Sequence, residues 1–161
     1  MTLTIVLPQG LGVRSYDMED QSFSEQLFFS TRESFNLLPL PRQQVELLLK
    51  QQFLLQQVGY SQTYPNAEIL IVILDGEPIG KLILNHSVES LHIVDLVLSP
   101  NARSKGYGSA ILRALKTVAI QKGLPLRLAV DQQNRRAKKL YMGLGFTSVE
   151  SSETHDTLVW N

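Results

Sequence analysis

The chain has 161 residues, 43% hydrophobic and 19% charged, with a formal net charge of zero. These values favour one domain spanning residues 1–161 with a proper apolar core, and they argue against disorder and against a whole surface built for nucleic acid. No cysteine is present, so disulfides, thiolate metal sites and a cysteine nucleophile are excluded.

In chain order, residues 2–7 alternate and are β-branched, which predicts a short strand ended by Pro8-Gln9-Gly10. Asp20 or Ser22 would cap a helix running to about Arg32, with Phe23, Leu27 and Phe28 on one face. A second helix is expected from Pro41 to about Val58, with Val45, Leu48, Leu49 and Leu55 as its apolar stripe and a glutamine-rich opposite face. That glutamine face reads either as solvated surface or as polar surface near a ligand. From Glu68 the apolar period shortens to about two, and residues 68–74, 78–85 and 89–98 predict three antiparallel strands, with Asp75-Gly76 as a hairpin turn. A helix over residues 106–122 and a strand over residues 124–130 follow, implying a right-handed parallel crossover. Asn134 would cap a last helix to Leu144, with Ala137, Leu140, Tyr141 and Leu144 on one face. Residues 146–149 and 154–160 read as a closing antiparallel pair.

Charge is unevenly spread. Ten Lys/Arg and a single acid, Asp131, lie between Ser99 and Phe146, as expected of a half that meets an anion or simply of solvated helix faces. The N-terminal stretch lacks a signal-peptide pattern, no run is long enough to span a bilayer, and a cytoplasmic setting is expected. The three histidines lack metal-ligand spacing, so no metal is expected.

The most informative segment is Arg103-Ser104-Lys105-Gly106-Tyr107-Gly108-Ser109, which leaves an apolar strand and opens a helix. Helix N-termini present unpartnered N–H groups and partial positive charge, and glycine lets a ligand approach the backbone. Such a turn suits a pyrophosphate, with Arg103 and Lys105 adding charge and Ser109 a hydroxyl; a tight strand-to-helix turn would use the same glycines. Neither the nucleoside-triphosphate loop pattern nor the three-glycine dinucleotide fingerprint fits the spacing.

The segment resembles the Arg/Gln-x-x-Gly-x-Gly/Ala signature of the GNAT N-acetyltransferases. Roughly thirty residues on, Asn134-Arg-Arg-Ala137-Lys-Lys-Leu140-Tyr141-Met-Gly-Leu-Gly145-Phe146 is similar to that family's second motif, Asn-x-x-Ala-x-x-Leu-Tyr-x-x-x-Gly-Phe. The resemblance implies a single-domain α/β fold. Its mixed, mostly antiparallel sheet would have about six to seven strands with a splayed central parallel pair, and about four flanking helices. It also implies acetyl-coenzyme A, or another acyl-coenzyme A, as co-substrate. The acyl group would pass directly to a primary amine on a small molecule or peptide, with no nucleic acid or membrane partner. Backbone groups of Leu96, Val97 and Leu98 would hold the pantetheine arm, a backbone N–H near Leu96 would stabilise the oxyanion, and residues 103–109 would hold the pyrophosphate. Asn134 would contact the arm, cap its helix, or both.

Tyr141 stands where that family usually carries its general acid; the alternative is a tyrosine packed in the core. His92 and Asp95 are candidates for the general base, with Glu89 on the same strand. Three residues apart, His92 and Asp95 face opposite sides of a regular strand unless a bulge intervenes. The sequence favours His92 as base and Asp95 as a structural or substrate-facing carboxylate. Acids of the first half (Asp17, Glu19, Asp20, Glu25, Glu68) would suit a cationic acceptor. Trp160 and the last strand are candidates for homodimer pairing. A rival reading on the same fold is a non-catalytic acyl-coenzyme A sensor.

Overall fold

In the computed structural model, which describes residues 5–161, the chain forms a seven-stranded mixed sheet with helices on both faces. The strands are β1 (Leu11–Ser15), β2 (Glu68–Leu74), β3 (Glu77–His86), β4 (Leu91–Leu98), β5 (Leu126–Asp131), β6 (Thr147–Ser151) and β7 (His155–Trp160), in the order β1-β2-β3-β4-β5-β7-β6. The helices are α1 (Gln21–Ser30), α2 (Arg42–Thr63), α3 (Tyr107–Lys122) and α4 (Arg135–Gly143).

The first strand is not the predicted one. Residues 1–4 lie outside the described residues, residues 5–7 have no regular structure, and β1 begins beyond the Pro8–Gly10 turn. Its sequence, Leu-Gly-Val-Arg-Ser, hides the alternation, because its order comes from pairing with β2 from Leu11↔Leu74 to Ser15↔Leu70. Helix α2 runs to Thr63, one turn longer than its apolar stripe suggests, and Leu55 points outward at 65% exposure. Asp20 does precede α1, but its carboxylate accepts bonds from Arg14 (2.8 and 2.9 Å) and from the Asp17 N–H rather than capping the helix.

Two apolar layers fix the sheet. On one face Leu82, Leu84, Leu91, Ile93, Leu126 and Leu128 pack under Ile111, Leu112, Leu115, Val118 and Ala119 of α3, the positions that recur at helical spacing. On the other, Ile71 and Ile83 are buried, and Phe28 of α1 meets Phe53 of α2 with ring centroids 5.6 Å apart. Gly123, at φ 65°, ends α3 and turns the chain into β5.

The parallel pair is short. β4 and β5 pair only at Leu91↔Leu126, His92↔Arg127 and Ile93↔Leu128. Beyond Ile93, β4 stays with β3 and β5 turns with β7, so the sheet forks. A bulge sits at the fork: Ile93 faces Leu84 and Asp95 faces Ile83, leaving Val94 as the extra residue. Bulges bend and twist a strand, and here the bend falls where β5 leaves.

Candidate active site

A cleft of about 1040 Å³ runs through the fork, and Arg103, Ser104, Gly106, Gly108, Ser109, Asn134 and Tyr141 line it on the α3–α4 side. A smaller cavity of about 140 Å³ occupies the fork itself, walled by residues 93–96 and 128–131 with Asn134, Ala137 and Tyr141. Residues 96–98 border the cleft and have no β5 partner, so part of their backbone is free to bind an extended ligand.

The turn before α3 has the expected geometry. Gly106 adopts φ 89° as the residue preceding the helix, and a Cβ there would meet nothing within 4 Å. Ser104 is also left-handed, at φ 62°, an uncommon state for a side-chain-bearing residue and a sign of a specified loop. The individual side chains divide. Lys105 is exposed and Tyr107 packs against the core, and neither of these two expected residues lines the cleft. Arg103 is turned inward: its Nε donates to the Leu98 carbonyl (3.0 Å) and its Nη2 to Ser30 Oγ (3.0 Å). It braces the end of β4 against α1. Asn134 caps α4, its Oδ1 accepting the Ala137 N–H at 3.2 Å, and also lines the cleft.

The bulge settles the facing of His92 and Asp95. It shifts the alternation by one, so both reach the cleft from the α1–α2 face. His92 stacks edge-on against Tyr64 at 5.3 Å, and burial followed by the nearby Arg127 charge depresses its pKa. Asp95 lies deep in the cleft with only partial exposure. Burial raises its pKa to about 6, against opposing pulls from Lys81, the Leu96 N–H and Arg32. Tyr141 sits on α4 with its ring edge-on to Phe146 at 5.8 Å; burial, then the Asp95 charge, raises its pKa. Asp95 and Tyr141 thus sense one another across the fork. Glu89 is exposed at the turn before β4 and away from the cleft.

Several lining residues were not foreseen: Ser24, Arg32, Tyr60, Tyr64, Lys81 and Arg136. Lys81 carried a signal, being the one charge in the run from Pro78 to Asn85. Its Nζ donates to Ser24 Oγ at 2.6 Å, and burial lowers its pKa. Tyr60 and Tyr64 are one helical turn apart at the end of α2. Of the glutamine face, Gln56 lines the cleft, whereas Gln43, Gln44, Gln51 and Gln52 are exposed. None of the five N-terminal acids expected to suit a cationic acceptor lines it; Asp20 is committed to Arg14. Among the described residues, no cluster of three His, Cys, Asp or Glu could hold a metal.

A family model described as "Acetyltransferase (GNAT) family" matches residues 28–146. Among curated proteins, thialysine N-epsilon-acetyltransferase of Bos taurus is 33% identical over 98 residues, 54% of this chain and 56% of that protein. The match therefore spans about half the length of that relative. Among solved structures, the PaiA N-acetyltransferase of Thermoplasma acidophilum, in complex with coenzyme A, is similar with a TM-score of 0.68 at 19% identity, over 92% of this chain and 97% of that one. An acetyltransferase of Thermus thermophilus reaches 0.68 at 19% identity, over 96% and 99%. At these identities the structural likeness speaks for the fold.

Proposed function

The chain belongs to the GNAT acetyltransferase family, and from that premise we propose that it transfers an acetyl group from acetyl-coenzyme A to a primary amine. The observation that carries this reading is the coincidence, in one cleft, of the β4–β5 fork, the glycine turn before α3 and Tyr141.

Each part has a task. The N–H groups at the start of α3 and the open backbone at Gly106 and Gly108 would receive the pyrophosphate. A Cβ on Gly108 would make only ordinary contact with Leu98, at 3.8 Å, and one on Gly106 would meet nothing within 4 Å, which leaves open space at the turn. The β5-facing backbone of residues 96–98 would pair with the amide-bearing arm, and Asn134 lies alongside. Acetyl-coenzyme A supplies an activated thioester. The amine nitrogen attacks the carbonyl carbon, the C–N bond forms and the C–S bond breaks. Asp95 takes the proton that the amine loses, and the Tyr141 hydroxyl gives one to the departing sulfur.

Asp95 is favoured over His92 as base because it lines the fork cavity together with Tyr141, which His92 does not. Its pKa of about 6 leaves it mostly ionised at neutral pH yet more basic than an ordinary carboxylate. His92, neutral by virtue of its depressed pKa, would orient Tyr64 and border the acceptor.

The test is coenzyme A thiol release over an amine panel, with mass spectrometry of the acetylated product, in the wild type and Tyr141→Phe. Amine-dependent release lost in the variant supports the reading; release that ignores the amine, or survives the substitution undiminished, refutes it.

A further inference from the structure

The acceptor half of the cleft is not acidic. Its charged walls are Arg32 just beyond α1, Lys81 on β3, Arg127 on β5 and the carboxylate Asp95, with Asp131 at the end of β5. Arg32 lies with its guanidinium carbon 4.6 Å from the Phe28 ring centroid and donates from Nη1 to Thr31 Oγ1 at 2.9 Å. Lys81 spends one donor on Ser24 and lies 5.8 Å from the Tyr16 ring centroid. Among the described residues, no carboxylate stands within ion-pair distance of either. Both are partly buried and make no direct ion pair, which leaves them N–H donors for a ligand's anion. Asp95 lines the same cleft and feels both charges without an ion pair to either. Stacked on Phe28, Arg32 keeps a fixed fork of N–H donors, the geometry that suits an oxyanion.

Resting on the acetyltransferase reading, we infer that the acceptor is an amine that also carries an oxyanion, its amino group directed to Asp95 and its anionic group held by Arg32 with Lys81. Phe28, Phe53, Tyr60 and Tyr64 supply apolar wall between these points. The acceptor would then be an amino acid or an amino phosphate ester rather than a simple polyamine, since Arg32 and Lys81 would repel a second ammonium.

The experiment is calorimetric titration of the protein saturated with coenzyme A, using matched probes: tyrosine against tyramine, lysine against 1,5-diaminopentane, and O-phosphoethanolamine against ethanolamine. In at least one pair the oxyanion-bearing member should bind about tenfold or more tightly than its partner, as expected for a charge-assisted contact. Arg32→Gln should remove that preference, and Lys81→Met should weaken it, with the melting temperature of each variant confirming that it is folded. A carboxylate pair and the phosphate pair responding separately identifies the oxyanion. No preference in any pair, or a preference that survives both substitutions, overturns the proposal. Coenzyme A binding, titrated first, reports separately on the acetyltransferase reading.

Discussion

Asp95 carries the sharpest consequences at the scale of single residues. Its pKa in the fold, about 6, lies above the value of 3.8 for an unperturbed carboxyl group, so the folded protein favours the protonated form. Its contribution to stability is therefore present in full below pH 3.8 and is lost as pH rises through 6. Ionised at neutral pH, it costs on the order of 3 kcal/mol. Asp95→Asn should then melt higher than the wild type at pH 7.5, and the gap should close by pH 4, as followed by thermal denaturation across that range. Asp20 acts in the opposite sense and in another window: Arg14 holds it down to about 2, so its contribution is lost only as pH falls from 3.8 through 2. Activity should obey the same group. The kcat/KM of the wild type should rise with pH through about 6, and this limb should vanish in Asp95→Asn but persist in His92→Gln. Tyr141→Phe keeps the ring on Phe146 and removes only the acid, so kcat should fall by about 10²- to 10⁴-fold with the fold intact. Steady-state kinetics with circular dichroism checks both halves of that statement.

The elements explain why the fork exists and where it stops. β4 would be an ordinary strand without Val94, and the bulge there both bends it from β5 and turns Asp95 into the cleft. The sequence showed the strand and its apolar run but not the bulge, because an extra residue leaves no compositional trace. It showed α3, α4 and the glycine turn well, since helical spacing, Asn134 as a cap and glycine at φ 89° are local requirements. It misplaced β1, whose order comes from a partner more than fifty residues away. It could not show that Arg103 braces Leu98 and Ser30, or that Lys116 donates to the Leu144 carbonyl and Lys138 to Asp156. These cations, counted among those meeting an external anion, are partly spent inside. At Gly80, a Cβ would stand 2.6 Å from the Val97 carbonyl oxygen and 2.7 Å from a Leu98 methyl. Gly80→Ala must push the end of β4 aside, costing about 1–3 kcal/mol and weakening acetyl-coenzyme A binding. Chemical denaturation and ligand titration on that variant test both effects.

For the whole molecule, the two layers of the sheet have different tasks. The α3 face is a continuous apolar core that holds the glycine turn, while the α1–α2 face surrounds Asp95 with cations and aromatic rings. Family membership accounts for the first and leaves the second to this chain. Among the described residues, no helix is long and apolar enough to cross a membrane. A ligand that binds only the folded state stabilises it, by about 2.7 kcal/mol at a hundred times its dissociation constant. For a domain of this size that is roughly 5–10 °C in melting temperature. Whether acetyl-coenzyme A enters the fork is tested most directly by thermal denaturation with and without saturating acetyl-coenzyme A. A rise of that order is expected, reduced in Gly80→Ala; an unchanged melting temperature at saturating acetyl-coenzyme A would rule out binding in the fork.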